Sequence, residues 1–459
     1  MEYETDRTIN ESIALIIALI EEKKYVKARK ELLMYNEVDI AEILEEIMED
    51  LGIGKTIIMF RTLPKDIAVE VFSYLGSDER VAIINCITDK EIHFIIDELP
   101  FDDMIDVLEE LPANIVDKIL EKATKEERRL INTFLNYPED SAGSLMTPEY
   151  ISLCEDMTVS QALAYIKKEG MDSETVYTCY VKDAGRKLHG IVSLRTLVIS
   201  DDDALIRDIM ETDVVYVNAL EDQEHVSNLF RRYGFLAIPV VDNENRLVGI
   251  ITVDDILGII DEENTEDFQK MAGVAASTEE YLDTKVWRHV RNRFPWLLYL
   301  MISAMITGMI ISRFENLLSQ VIVLAVYLPM LMGTGGNSGS QTATLIIRGM
   351  AVGEIQLKDI YKVLWKEIRV SFLIGLGLSI LNFGKILLLD RQGPLIALTV
   401  CISMLIIITA AKTIGGMLPM LARKLKIDPA IMASPMIASL TDLISVITYF
   451  ILASFILGL

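Results

Sequence analysis

Little in this 459-residue chain points to secretion, redox chemistry or nucleotide hydrolysis. Its four cysteines, Cys86, Cys154, Cys179 and Cys401, show no Cys-x-x-Cys spacing, which excludes a zinc ribbon and any evident disulfide framework. No signal peptide is expected, because Met1 to Glu11 is acidic and the apolar stretch Ile13 to Ile20 is too short to span and runs into Glu21 to Lys24. A phosphate loop at Gly54-Lys55-Thr56 would need a glycine five positions earlier, where Glu49 stands. Basic charge is scarce as far as Glu280, with 27 Lys and Arg against 60 Asp and Glu, so nucleic acid is not expected as a partner. Acidic charge is scarce thereafter, 8 against 16, so net charges of −33 and +8 divide the chain between two solvents. The acidic part concentrates cations around it, or serves only solubility.

What is present falls into successive textures. From Asn10 to Leu135 short amphipathic helices are punctuated by Leu63-Pro64, Leu99-Pro100 and Leu111-Pro112, a pattern that predicts an all-α superhelical N-terminal domain over 1–137. Between Pro138 and Asp261 β-branched runs alternate with helices in a repeat of about 60 residues. Tyr180 to Asp183 with Leu188 to Leu194 is echoed by Val240 to Asn243 with Leu247 to Val253, each copy reading strand, turn, strand, helix. This α/β repeat resembles a tandem pair of CBS domains, 138–199 and 200–261. Some such modules bind adenine nucleotide, which places ATP against Arg195 and Phe235, although Thr196 replaces the Asp that commonly follows the Arg. A purely structural repeat is the other reading.

An acidic connector, 262–286, leads to a basic aromatic patch around Trp287, Arg288, Arg291, Arg293 and Trp296, as at a cytoplasmic membrane interface. Five hydrophobic segments follow within 287–459, near Leu297 to Ser312, Leu317 to Ile347, Ile368 to Leu389, Pro394 to Leu421 and Pro429 to Leu459, predicting an all-α polytopic domain of five transmembrane helices. With the N-terminus cytoplasmic and the C-terminus outside, twelve basic residues flank the inner ends and three, Arg313, Lys385 and Arg391, the outer ends. The expected location is the cell membrane, in contact with its lipid.

Two features of that domain need a function. Pro329 to Gln341 interrupts an apolar segment with four glycines and with Asn337 and Gln341, suiting close helix contact or a partly unwound backbone beside a polar pathway. Asp442 is the single charge in the last span. An acid at that depth costs about 3 kcal/mol or more, so it faces water or a partner, either as part of a pathway or as a protonated helix-helix hydrogen bond.

With these residues in view the chain resembles the MgtE family of magnesium channels or transporters along nearly its full length. The matching stretches are Ser141 to Tyr150, Val253 to Leu257, Thr265-Glu266-Asp267, Pro329 to Gln341 with Ala343 to Arg348, Asp428-Pro429-Ala430 and Leu440-Thr441-Asp442. The resemblance implies a homodimer, a plug helix in the connector, and a pore between protomers using Asp442, with Asn337, Gly336 and Ser434 nearby. It implies regulatory Mg2+ on Asp102, Asp106, Asp222, Glu224, Asp255, Glu263, Glu266 and Asp267. Two carboxylates about 4 Å apart repel by roughly 4 kcal/mol at an effective dielectric near 20, so a few bridging ions suffice to close the assembly and loss of cytosolic Mg2+ opens it.

Departures from the family pattern are Gly258 at a sensing Asp, Ser340 and Ser434 at Asn, Ser445 at Gly, and Lys412 at an uncharged residue. Counted from the helix ends, Lys412 and Asp442 differ in depth by only about 5 Å, which predicts a charge pair that weakens cation binding. Other readings are a Co2+ or Mn2+ transporter, an exporter, a CBS-controlled sensor that moves nothing, and an intramembrane aspartyl protease. The last is an enzyme that needs two close carboxyls. No catalytic constellation is otherwise evident, and a non-enzyme is expected.

Overall fold

The structure is a computed structural model and describes residues 2–458 other than Asp172, Ala184, 278–280, Asp283 and Ala433, with the side chains of 2–10 and of Ser434 left aside. Two compact units result, Met1–Leu257 and Gly258–Leu459.

Ten helices among the described residues, α1 (Glu2–Glu21) through α10 (Lys125–Phe134), open the first unit. Pro64, Pro100 and Pro112 each stand immediately before a helix, α5 (Lys65–Tyr74), α8 (Phe101–Glu110) and α9 (Ala113–Lys122). There a missing N–H removes no helical hydrogen bond and the fixed φ sets the turn. Alternate helices pack together, α3 (Glu37–Leu51) on α5 on α7 (Asp89–Glu98), and α4 (Ile53–Phe60) on α6 (Ser77–Ile84) on α8. This is the superhelix expected from the proline spacing. The ion pairs Arg61–Glu91 at 2.8 Å and Arg80–Glu110 at 2.6 Å join residues 30 apart, stapling one turn of the stack to the next.

The two repeats form two three-stranded sheets of the same design. In the first, β1 (Tyr150–Leu153) pairs in parallel with β2 (Thr175–Lys182), which pairs antiparallel with β3 (Leu188–Ser193). In the second, β4 (Val217–Asn218), β5 (Ala237–Val241) and β6 (Leu247–Thr252) repeat that order. The glycine of each Gly-Ile-Val or Gly-Ile-Ile run has a structural cause. A Cβ on Gly190 would lie 2.8 Å from the Glu211 carbonyl, and one on Gly249 2.8 Å from the Thr147 carbonyl, so backbone crosses the edge strand closely at equivalent places. Helices α11 (Val159–Glu169), α12 (Leu194–Ile199), α13 (Ile206–Ile209) and α14 (Gln223–Tyr233) cover the sheets, and α15 (Val253–Met271) carries the division between the units.

The second unit contains α16 (Val286–Arg313), the short α17 (Glu315–Gln320), α18 (Val323–Ala351), α19 (Ile360–Leu388), α20 (Pro394–Lys424) and α21 (Ser434–Leu457). Among the described residues four stretches, Val286–Arg313, Leu357–Leu388, Pro394–Lys424 and Pro429–Leu457, are long and apolar enough to cross a membrane. At 29 residues α18 is as long, but Gly333 to Gln341 dilutes its apolar content. Its backbone stays helical throughout, so of the two options read from the glycine run the structure takes close contact rather than unwinding. The buried core at one end joins Leu324, Tyr327 and Leu331 to Met404, Ile407, Val446 and Phe450, and the Tyr449 hydroxyl donates to the Leu324 carbonyl at 3.1 Å.

Candidate ion pathway and regulatory carboxylates

The pathway candidate is built on the two faces of α18. Toward α20 and α21 the helix presents residues too tightly packed to carry a side chain. A Cβ on Gly335 would come 2.8 Å from Ser445 Oγ, one on Gly339 2.6 Å from Ile437 Cγ2, and one on Gly415 2.2 Å from the Gly339 carbonyl oxygen. Small residues thus act as glue between helix backbones. A second stripe on α18, Pro329, Gly333, Gly336, Asn337 and Ser340, faces a groove of about 620 Å3. Asp442 of α21 is the carboxylate in that lining. Thr441, one residue back, turns inward, and its hydroxyl donates to the Ile437 carbonyl at 2.8 Å. Asp442, half-buried, therefore points to the groove while its neighbour packs. Ser434 opens α21, and its side chain lies outside the described residues.

The expected charge pair between Lys412 and Asp442 gives way to a different arrangement. Lys412 is 5% exposed, and its Nζ donates to Thr342 Oγ1 at 3.2 Å. The Thr342 hydroxyl in turn donates to Glu367 Oε2 at 2.9 Å. Equal depth brought Lys412 and Asp442 together on paper, but helix rotation directs the lysine to the far face of α18.

At the other end of the unit the last turn of α15 meets the chain between α20 and α21. Lys270 Nζ lies 2.6 Å from Glu266 Oε1 and 2.7 Å from Asp428 Oδ2. Burial, with the carboxylate of Asp428 beside it, pushes the Asp267 carboxyl above its ordinary value. Met271 packs on Ala343, Ile347 and Ile437, so this end of α15 is seated on α18 and α21. Glu263 is half-buried on the same helix.

In the first unit the structure brings Asp102 of α8 near Asp255 at the start of α15, with Asp106 one turn further along α8 beside Asp102. Partial burial, with Asp103 and Glu149 nearby, pushes the Asp102 carboxyl up to about 6. Asp106 keeps an open edge, yet desolvation with Asp103 and Asp102 beside it raises it to about 7. Asp255, which accepts from Thr252 Oγ1 at 2.6 Å, is raised to about 6 by burial, and Asp102 adds to the effect. Sequence reasoning missed Glu174, raised to about 7 by burial and by Asp102, Asp255, Asp254 and Glu149, and it missed Asp103, raised by burial and Asp255. The sequence signal for Glu174 was weak, since it stands next to β2 rather than on an acidic helix face, whereas Asp103 lies on α8 beside Asp102.

These groups approach one another without forming a closed cage. Among the described residues no three acidic or histidine side chains meet at metal-ligand spacing. Asp102 Oδ1 is buried with no hydrogen-bond partner, an orphan acceptor in an all-oxygen donor set, which fits a hard cation. Asp222 and Glu224 stand instead at the start of α14, where Asp222 caps the helix by accepting from the Glu224 N–H at 2.9 Å. Arg195 is exposed on α12, and Phe235 stacks on Tyr233 with ring centroids 5.2 Å apart.

Comparison with known proteins adds to this geometry. A family profile described as MgtE, divalent cation transporter, matches residues 328–452, the MgtE intracellular N domain matches 35–140, and CBS domains match 142–201 and 206–262. The magnesium transporter MgtE of Thermus thermophilus is 36% identical over 452 residues, covering 95% of this chain and 99% of its own. That of Bacillus subtilis is 32% identical over 408 residues, covering 86% and 90%. A crystal structure of the cytosolic domain of the Mg2+ channel MgtE in complex with ATP is similar with a TM-score of 0.50 and 33% identity, covering 54% of this chain and 99% of that one.

Proposed function

This chain belongs to the MgtE family of divalent cation transporters, and from that premise we propose that it is a multi-pass Mg2+ channel with CBS regulation, acting as a homodimer. The observation that carries the reading is Asp442, the carboxylate of a groove whose lining also includes Asn337 and Ser340 among glycine and apolar residues of α18. Mg2+ sheds water reluctantly and prefers octahedral oxygen coordination. A groove with one carboxylate, an amide and a hydroxyl suits outer-sphere contact with a hydrated ion, and a second copy of the chain would supply the second carboxylate.

Five helices span the membrane in this reading, α18 among them, with the N-terminus in the cytosol and the C-terminus outside. Regulation follows from the raised carboxyls of Asp102, Asp106 and Asp255, now joined by Glu174. Mutual repulsion separates these groups when no cation is present, and a bridging hydrated Mg2+ draws them together. Closure holds α15 against α18 and α21, where Glu263, Glu266 and Asp267 add further ligands beside Asp428. The ATP complex of the related cytosolic domain supports adenine nucleotide as a second ligand of the CBS pair.

The test is divalent-ion flux into liposomes containing the purified protein, with Mg2+, Co2+ and Mn2+ compared. Mg2+ flux that falls as Mg2+ is raised on the cytosolic side is expected. Flux of Co2+ or Mn2+ without Mg2+ would overturn the substrate, and flux insensitive to cytosolic Mg2+ would overturn the regulation.

A further inference from the structure

At about 100° per residue Thr342 stands on the side of α18 away from the groove stripe, with the packed face of Gly335 and Gly339 between them, so a group held at Thr342 is about one helix diameter, roughly 10 Å, from the ion route. Behind it lies charge. Lys412 is 5% exposed, donates to Thr342 Oγ1 at 3.2 Å, and is linked through that hydroxyl to Glu367 Oε2, 2.9 Å further on. Gly416 of α20 lies beside the pair, its Cβ position 3.5 Å from both Glu367 Cγ and Thr342 Cγ2. One turn away α20 closes onto α18, where a Cβ on Gly415 would come 2.2 Å from the Gly339 carbonyl oxygen.

A lone ammonium buried there would be expensive and would repel any cation passing on the other side of α18. Resting on the pathway reading above, we propose that Glu367 and Lys412, bridged by Thr342, form a compensated charge pair that sets the electrostatic potential of the ion route and thereby its conductance. Neither residue touches the ion. Each acts through the field it cancels, and Thr342 fixes their separation by donating to one and accepting from the other. The pair also explains how a lysine is tolerated within the helix bundle of a cation channel.

Glutamine at Glu367 keeps a hydrogen-bonding end toward Thr342 and removes only charge, and at Lys412 it removes the charge from a polar side chain one bond shorter. In proteoliposome patches of the full-length dimer, Glu367→Gln should lower unitary Mg2+ conductance by about fivefold or more, because an uncancelled positive charge is left near the route. Lys412→Gln should shift it the opposite way or leave it unreduced. The double replacement, neutral again, and Lys412→Arg should both return close to the parent value. Single variants that shift conductance in the same direction, with a double variant that adds the two losses, would show packing alone and overturn the proposal. If a single variant does not assemble, the double variant must recover the dimer, since it leaves no unpaired buried charge. A double variant as defective as the worse single would equally overturn the proposal. Asp442→Ala serves as the reference. Current persisting in it would sink the pathway reading, whereas a silent Asp442→Ala channel beside additive pair effects would sink only the present inference.

Discussion

Replacing Asp102 with Asn probes the proposed regulatory carboxylates most sharply, because its orphan Oδ1 is buried and faces like charges. Raising this carboxyl from 3.8 to about 6 disfavours its ionised form by about 3 kcal/mol, somewhat less here because the half-buried group is partly screened by water. The sign follows from linkage: a carboxyl whose folded value is raised stabilises the closed arrangement fully below its unfolded value and loses that contribution as pH rises through the folded one. Asp102 and Asp255 place the loss near pH 6, and Asp106 and Glu174 extend it to about 7. Without Mg2+ the protein should therefore become more protease-sensitive across its first unit between about pH 4 and 7, and millimolar Mg2+ should restore resistance at the upper end. In Asp102→Asn the Mg2+-free protein should resist proteolysis better at pH 8 than the parent, by about 1 to 2 kcal/mol of opening free energy, and gain less from Mg2+. Limited proteolysis or scattering across that pH range decides the matter. A variant more sensitive than the parent without Mg2+, or a parent with no pH and Mg2+ dependence, would refute the reasoning.

Gly258 offers a gain-of-function test: nothing lies within 4 Å of a Cβ built there, so Gly258→Asp should fit, favour the helix by a few tenths of a kcal/mol and lower the Mg2+ concentration that inhibits current. An unchanged or higher inhibitory concentration would mean that Asp254, Asp255 or Asp261 already fills that role. Lys270→Ala removes the ammonium between Glu266 and Asp428, leaving carboxylates to repel, and should raise the inhibitory Mg2+ concentration measured in the same patches. Gly415→Ala forces a Cβ to 2.2 Å from the Gly339 carbonyl and should cost about 1 to 3 kcal/mol of thermal stability. Gly377→Ala, with nothing within 4 Å, should be neutral or stabilising in the same melt.

The parts of the fold carried by period and punctuation were readable in advance. Pro64, Pro100 and Pro112 mark helix starts because proline disrupts few other places in a helix less. The two glycines at Gly190 and Gly249 betray the sheet repeat because backbone crosses both. Rotation about a helix axis was not readable. The run from Gly333 to Gln341 gave no sign that Gly335 and Gly339 pack while Gly336 and Ser340 line the groove, since apolar neighbours surround both faces in a membrane bundle. The same ignorance of rotation misassigned Lys412. In the cytosolic unit, Asp102 and Asp106 could be placed on one helix face from their spacing, but Glu174 joins them only through long-range folding.

The central claim is that Mg2+ passes Asp442. Mg2+ uptake by liposomes containing Asp442→Ala, alongside the parent protein at matched density and with the dimer checked by size-exclusion chromatography, tests it most directly. The account predicts an intact dimer with uptake reduced to the level of protein-free vesicles. Uptake at the parent rate by that dimer would contradict it.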